Sequence, residues 1–263
     1  MGSNPTPSVC LLCCDALDER SIHRMKTAAS GQASLEGSAS DYFGSMAQSY
    51  DSLIGRSVPR YDEMMDRLVD YLPPNSASVL ELGCGTGNLS VRLAAKLPSA
   101  ALTLVDGSAE MIAVARSRLE QASSLRTRAI QLVTARFEDL DLQPGSFDLV
   151  VSSISLHHVV DKGLLYERLH KFLRPGGRFC FADQIRGEPE SNHEVNWRIW
   201  LEFCALPGHC SAQEIESLLQ HSSAHDHYTP LSEHFRLLAR AGFGELDCAW
   251  RNSMWSIVTA TAA

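Results

Sequence analysis

Along this chain the apolar positions keep two rhythms, one helical and one continuous. Met64, Met65, Leu68, Val69 and Leu72 recur at helical spacing, with Asp62, Glu63, Asp66 and Asp70 opposite them. That pattern predicts an amphipathic helix, which Pro73-Pro74-Asn75 ends. Unbroken apolar runs then alternate with amphipathic segments. They predict a strand at 78–82, a helix at 88–97, a strand at 101–105 and a helix at 109–121. Strands near 129–133 and 147–152, a helix at 162–173 and a strand at 177–182 continue the series. Buried strands separated by helices of this kind describe a doubly wound, mostly parallel α/β sheet covered on both faces.

The last third breaks that rhythm. Helices are expected at 194–205, 212–219 and 232–240, then two strands at 246–250 and 254–259 around Arg251-Asn252-Ser253. The pair reads as an antiparallel hairpin added to the sheet, with the extra helices as a lid. The first forty residues differ again. Residues 27–40 are almost entirely Ala, Ser, Gly and Gln, a linker composition. The expected organisation is a flexible tail over 1–40 and one domain over 41–263. Cys10, Cys13 and Cys14 cluster in that tail without the second ligand pair of a structural zinc site. His221, His225 and His227 share a helical spacing but show no further ligand, so no metal is expected.

Composition narrows the partners. With 44% hydrophobic and 21% charged residues the chain is neither disordered nor fibrous. Acidic residues outnumber basic ones 31 to 23, which lacks the cationic surplus that phosphate contacts need. A small molecule is therefore expected rather than nucleic acid. No apolar run approaches the ~18 residues that would signal a membrane span. Eight cysteines are too few for a disulfide framework in a chain of this length. Cytoplasmic location is the corresponding expectation, and oligomeric state stays open.

The most informative stretch is Val79-Leu80-Glu81-Leu82-Gly83-Cys84-Gly85-Thr86-Gly87, a buried strand running through three glycines into a helix. Position 88 is Asn88, so the spacing is not the G-x-G-x-x-G of dinucleotide sites. Nineteen residues after Gly87 the second strand ends at Asp106-Gly107, where an acid can accept hydrogen bonds from a ribose.

Loop, acid, the Phe147-Asp148-Leu149-Val150 strand and Leu173-Arg174-Pro175-Gly176-Gly177 together resemble the class I S-adenosylmethionine-dependent methyltransferases, over about 41–259. The resemblance implies a Rossmann-like seven-stranded sheet, S-adenosyl-L-methionine as cofactor and methyl transfer to a small acceptor. It also implies that Gly83, Cys84, Gly85 and Gly87 receive the methionine end while Asp106 and Gly107 hold the ribose. The adenine then lies between the Gly107–Met111 segment and Arg136-Phe137. Arg136 stands where many relatives have an acid for the adenine amine.

Arg56-Ser57-Val58-Pro59-Arg60-Tyr61 and the segment from Glu214-Ile215 to Trp250 are also similar to carboxy-S-adenosylmethionine synthases, which implies a cofactor contact from Tyr61. Leu219 falls where that family holds its extra carboxylate with an arginine. Burying a second carboxylate without a cation costs several kcal/mol, so the ordinary methyl donor is expected. A non-catalytic cofactor-binding subunit is the remaining alternative.

The fourth strand runs into Ser152-Ser153-Ile154-Ser155-Leu156-His157-His158. Strand carboxyl ends face the ligand crevice in such sheets, which puts Ser153 and both histidines beside the reactive methyl. His157 or His158 is thus the candidate general base, or both open the next helix. A thioether acceptor needs no base. His193, Trp197 and Trp200 stand at the expected lid, as pocket wall or as packing.

Overall fold

A computed structural model describes residues 38–122 and 129–263. Cys10, Cys13 and Cys14 lie outside them, as does most of the expected tail. The first helix, α1 (Ala39–Met46), starts just ahead of the expected domain boundary. Its cap is reciprocal: the Ser38 hydroxyl accepts from Asp41 N, and the Asp41 carboxylate accepts from Ser38 N. Helices α2 (Tyr50–Ser57) and α3 (Tyr61–Asp70) follow.

The doubly wound core then runs β1 (Ser78–Leu82), α4 (Asn88–Lys96), β2 (Ala101–Asp106), α5 (Ala109–Gln121) and β3 (Ile130–Thr134). It continues with β4 (Phe147–Ser153), α6 (Lys162–Phe172) and β5 (Leu173–Gln184). Three helices intervene, α7 (Glu190–Cys204), α8 (Ala212–His225) and α9 (Leu231–Arg240), before the hairpin of β6 (Phe243–Asn252) and β7 (Trp255–Ala262).

The seven strands stand in the order β3-β2-β1-β4-β5-β7-β6. Strands β1 to β5 are parallel and β7 is antiparallel to both its neighbours. Successive strand residues feed opposite cores. Val79, Leu102, Leu149 and Val151 pack with Met64, Leu68 and Leu93 on one face. Leu80, Leu82, Val150 and Phe179 pack with Tyr166, Phe181 and Leu238 on the other. A strand buried on both sides has no polar phase, hence its continuous apolar signature.

Several elements are longer than the pattern suggests. Strand β5 takes in Arg174-Pro175-Gly176-Gly177, which its pairing with β4 absorbs as a register shift between Phe147 and Leu149. Strand β6 begins at Phe243, and its register with β7 shifts between Gly244 and Asp247. Both irregularities break the period-2 alternation that marks a strand in sequence. No described helix is long and apolar enough to cross a membrane, and Cys84, Cys180, Cys204, Cys210 and Cys248 are free thiols.

Candidate functional site

Chain direction across the sheet reverses between β1 and β4, so the crevices at their carboxyl ends open side by side. Leu82 and Ser152 are register partners, which sets the glycine loop against the Ser153–His158 segment. Gly83 and Gly85 take positive φ of 66° and 53°. A Cβ on Gly83 would stand 2.4 Å from the Ser155 Cβ, so only glycine lets these two segments approach.

The loop's amides are turned inward. Cys84 N donates to Val105 O, Gly87 N to Cys84 O and Gly85 N to the Asp106 carboxylate at 2.8 Å. Those three donors are therefore not available to a pyrophosphate, the physical counterpart of the missing G-x-G-x-x-G. Asp106 accepts from Ser108 N on its other oxygen at 2.9 Å. Burial raises its carboxyl above the ordinary range despite both amides, and each oxygen keeps a lone pair for a hydroxyl donor.

A cavity of about 160 Å³ opens over this acid. Gly83, Gly85, Asp106, Gly107 and Met111 line it from β1 and β2. Arg136, Phe137, Ser153 and His158 close it from the far side. Cys84 and Gly87 shape the loop from behind without lining the cavity. Tyr61 is displaced from its expected role: it packs against the core beside α4, where burial pushes its hydroxyl up to about 12. Tyr50 lines the cavity instead, together with Ser38, Ser40 and Phe43.

These N-terminal contributions escaped the sequence reading. One signal was present, the Ser38-x-x-Asp41 capping box ahead of α1. Asp51 of α2 is tied to the far end of the glycine loop: Thr86 Oγ1 and Asn88 Nδ2 donate to it at 2.6 and 2.9 Å, and Arg118 pairs with it.

A second cavity of about 70 Å³ adjoins the first and shares Phe43, Tyr50 and Ile154 with it. Ile154 is a β-branched residue at φ 51°, a strained backbone held by its amide's bond to Ala182 O. His157, Trp200, Asp226 and Tyr228 line this second cavity. Trp200 donates to Ser57 O, while Trp197 and His193 face a separate surface hollow. Trp200 is thus pocket wall and packing at once.

The two histidines occupy different positions. His157 is buried, its Nδ1 2.5 Å from Asp183 Oδ1 and its backbone amide bonded to Asp183 Oδ2. Burial opposes its charge, but Asp183 and Asp226 outweigh burial and raise its pKa. His158 lines the first cavity, and burial and then His157 lower its pKa. Burial would raise Asp226, yet His157, His158 and Tyr228 hold it well below the usual carboxylate range.

The fold is a Rossmann-like doubly wound sheet with a cleft over Asp106, and its glycine loop offers no anion cradle. Residues 79–177 match the methyltransferase-domain family. Residues 79–177 thus form a methyltransferase domain, for which S-adenosylmethionine is the cofactor.

Over 124 residues the chain is 38% identical to trans-aconitate 2-methyltransferase of Deinococcus radiodurans, covering 46% of this chain and 42% of that one. It therefore spans less than half the length of that relative. Carboxy-S-adenosyl-L-methionine synthase of Photobacterium profundum is 26% identical over 211 residues, covering 77% of this chain and 84% of its own. Phosphoethanolamine N-methyltransferase 2 of Haemonchus contortus, solved with S-adenosyl-L-methionine, shares the fold at TM-score 0.62 and 16% identity, over 85% of this chain and 58% of its own.

The residues present fit this cofactor. Gly85 faces open cavity where a side chain would intrude, and a Cβ on Gly107 would stand 2.3 Å from Ser40 Oγ. The open face of Gly85 and the close approach at Gly107 leave the space above Asp106 to a ligand.

Proposed function

We propose that the protein transfers a methyl group from S-adenosylmethionine to a small acceptor bound in the second cavity. The observation that carries this reading is the junction itself. A cleft over Asp106 meets an aromatic-lined cavity at Phe43, Tyr50 and Ile154. The cofactor supplies a methyl on a sulfonium, ready for in-line displacement.

In this reading Gly83, Gly85, Asp106, Gly107, Met111, Arg136, Phe137 and Ser153 bind the cofactor. Phe43, Tyr50 and Ile154 exclude water between the two ligands, which holds donor and acceptor at about 3–3.5 Å. His157 and His158 are the ionisable groups placed to handle a proton from a hydroxyl or amine acceptor, while a thioether would need neither. Leu219 is buried in the core on α8. Leu219 lines neither cavity, so this position brings no cation to a second cofactor carboxylate, which supports the ordinary methyl donor over the carboxylated one.

The test is direct. Protein incubated with methyl-labelled S-adenosylmethionine and an extract of small metabolites should yield S-adenosylhomocysteine and one labelled product by mass spectrometry. Binding of S-adenosylhomocysteine with no label transferred from any fraction would favour the non-catalytic cofactor-binding subunit.

A further inference from the structure

We propose that His157, His158 and Asp226 form a binding site for a divalent cation of the zinc class, with one coordination position left for the acceptor. The proposal rests on the methyl-transfer reading above and names how the acceptor's heteroatom would be held. It also departs from the sequence expectation of no metal. Helical spacing drew attention to His221, His225 and His227, whereas the tertiary structure gathers a different set.

Three observations carry it. First, one ligand atom from each of His157, His158 and Asp226 lies within 4.8 Å of the others. Asp226 Oδ1 is 3.0 Å from His158 Nδ1 and 3.9 Å from His157 Nε2. Ligands at ~2.0–2.1 Å from a tetrahedral centre stand about 3.3 Å apart, so small movements close this set on one ion.

Second, two of the ligands already have the outer partners that metal sites use. Asp183 holds His157 through Nδ1, leaving Nε2 free to ligate. The Tyr228 hydroxyl donates to Asp226 Oδ2, which leaves Oδ1 turned toward the imidazoles.

Third, beyond the His158–Asp226 pair, buried ring nitrogens converge here without hydrogen-bond partners: His158 Nε2 and both of His221. The Asp226 and His221 side chains are each only 5% exposed. Leaving such groups unsatisfied is costly, and a cation would satisfy His158 together with Asp226. His221 Nε2 lies 3.6 Å from the same oxygen but outside the set of mutually close donors.

The donor chemistry selects the ion. Two imidazoles and one carboxylate suit zinc or cobalt, while magnesium and calcium require oxygen ligands. Three protein ligands leave an open position. His158 touches the cofactor cleft, and His157 and Asp226 line the adjoining cavity. A hydroxyl, amine or thiol at that position would have its pKa lowered, and the two histidines would then act as ligands rather than as bases.

Full-length protein, stripped with a chelator, is titrated with Co²⁺ while visible absorption is followed, and with Zn²⁺ by calorimetry. One equivalent should bind with the spectrum of a low-coordinate nitrogen–oxygen site. Asp226→Asn and His158→Gln should each weaken binding at least ~10–100-fold, while His170→Gln, remote from the site, should not. S-adenosylhomocysteine affinity and melting temperature, read on every variant, establish that each is folded. Substoichiometric binding, or wild-type affinity in folded Asp226→Asn, would overturn the proposal and leave an ion-paired histidine cluster. Cofactor binding without metal sinks this inference alone. Metal binding without cofactor sinks the methyl-transfer reading and leaves the site standing.

Discussion

Glu81, the acid of the Glu81-Leu82-Gly83 run, is fully buried beneath the glycine loop, with Ser90 Oγ donating to Oε2 at 2.7 Å and nothing bonded to Oε1. Burial, with a smaller push from Asp106, raises its pKa from 4.5 to about 8. In the unfolded chain Glu81 ionises near 4.5, while the folded protein keeps it protonated. Below pH 4.5 both states hold the proton and the group is neutral toward stability. Between 4.5 and 8 the unfolded state releases its proton and the folded state does not, so stability falls as pH rises. Above 8 both ionise and the loss levels off.

At about 1.4 kcal/mol per pH unit, the upper bound on that loss is roughly 5 kcal/mol. Glu81→Gln keeps an acceptor for Ser90 but cannot ionise, so it should abolish this slope. The assay is urea unfolding of both proteins from pH 5 to 9, comparing their difference at each pH. His221, held down to about 3 mainly by burial, destabilises only as pH falls below the ordinary histidine range, so it does not mimic the effect above pH 7. Wild type should lose several kcal/mol relative to the variant between pH 5 and 8. Parallel curves, or a wild type that gains on the variant, would show that folded Glu81 is charged and refute the burial argument.

Other expectations bear on the cleft. Asp106→Ala should weaken S-adenosylhomocysteine binding by about 1.5–3 kcal/mol, measured by calorimetry. Gly83→Ala places a Cβ against Ser155 at positive φ, costing ~1–2 kcal/mol from the backbone alone. Its melting temperature and its cofactor affinity should both fall. A chain beginning at Ser38 should match the full protein in stability and cofactor affinity, because the α1 cap is complete from that residue. A chain beginning at Ala47 loses Ser40 and Phe43 from the cleft, and about tenfold weaker binding is expected. Equal affinity of the two truncations would remove α1 from the site.

Much of this molecule was legible in its sequence, because its strands and glycine loop are specified locally. Apolar runs such as 78–82 read as strands since both faces are buried. Gly83, Gly85 and Asp106 announce the nucleoside cleft because close approach and a strand-end acid need those residue types wherever they occur. The family resemblance pointed to Tyr61, whereas Tyr50, eleven residues earlier, is the tyrosine that lines the cleft. Helix α1 straddles the expected boundary at 41 and carried no helical signal of its own, because its residues bury nothing completely; its place depends on the cleft and on α8. The histidine cluster belongs wholly to tertiary structure. His157 and His158 follow β4, Asp183 ends β5, and Asp226 with Tyr228 follow α8. Nothing in their spacing foretells that Asp226 would stand 3.0 Å from His158. Helical and strand periods encode which face is apolar; which distant polar groups meet beneath those faces is decided only when the layers pack.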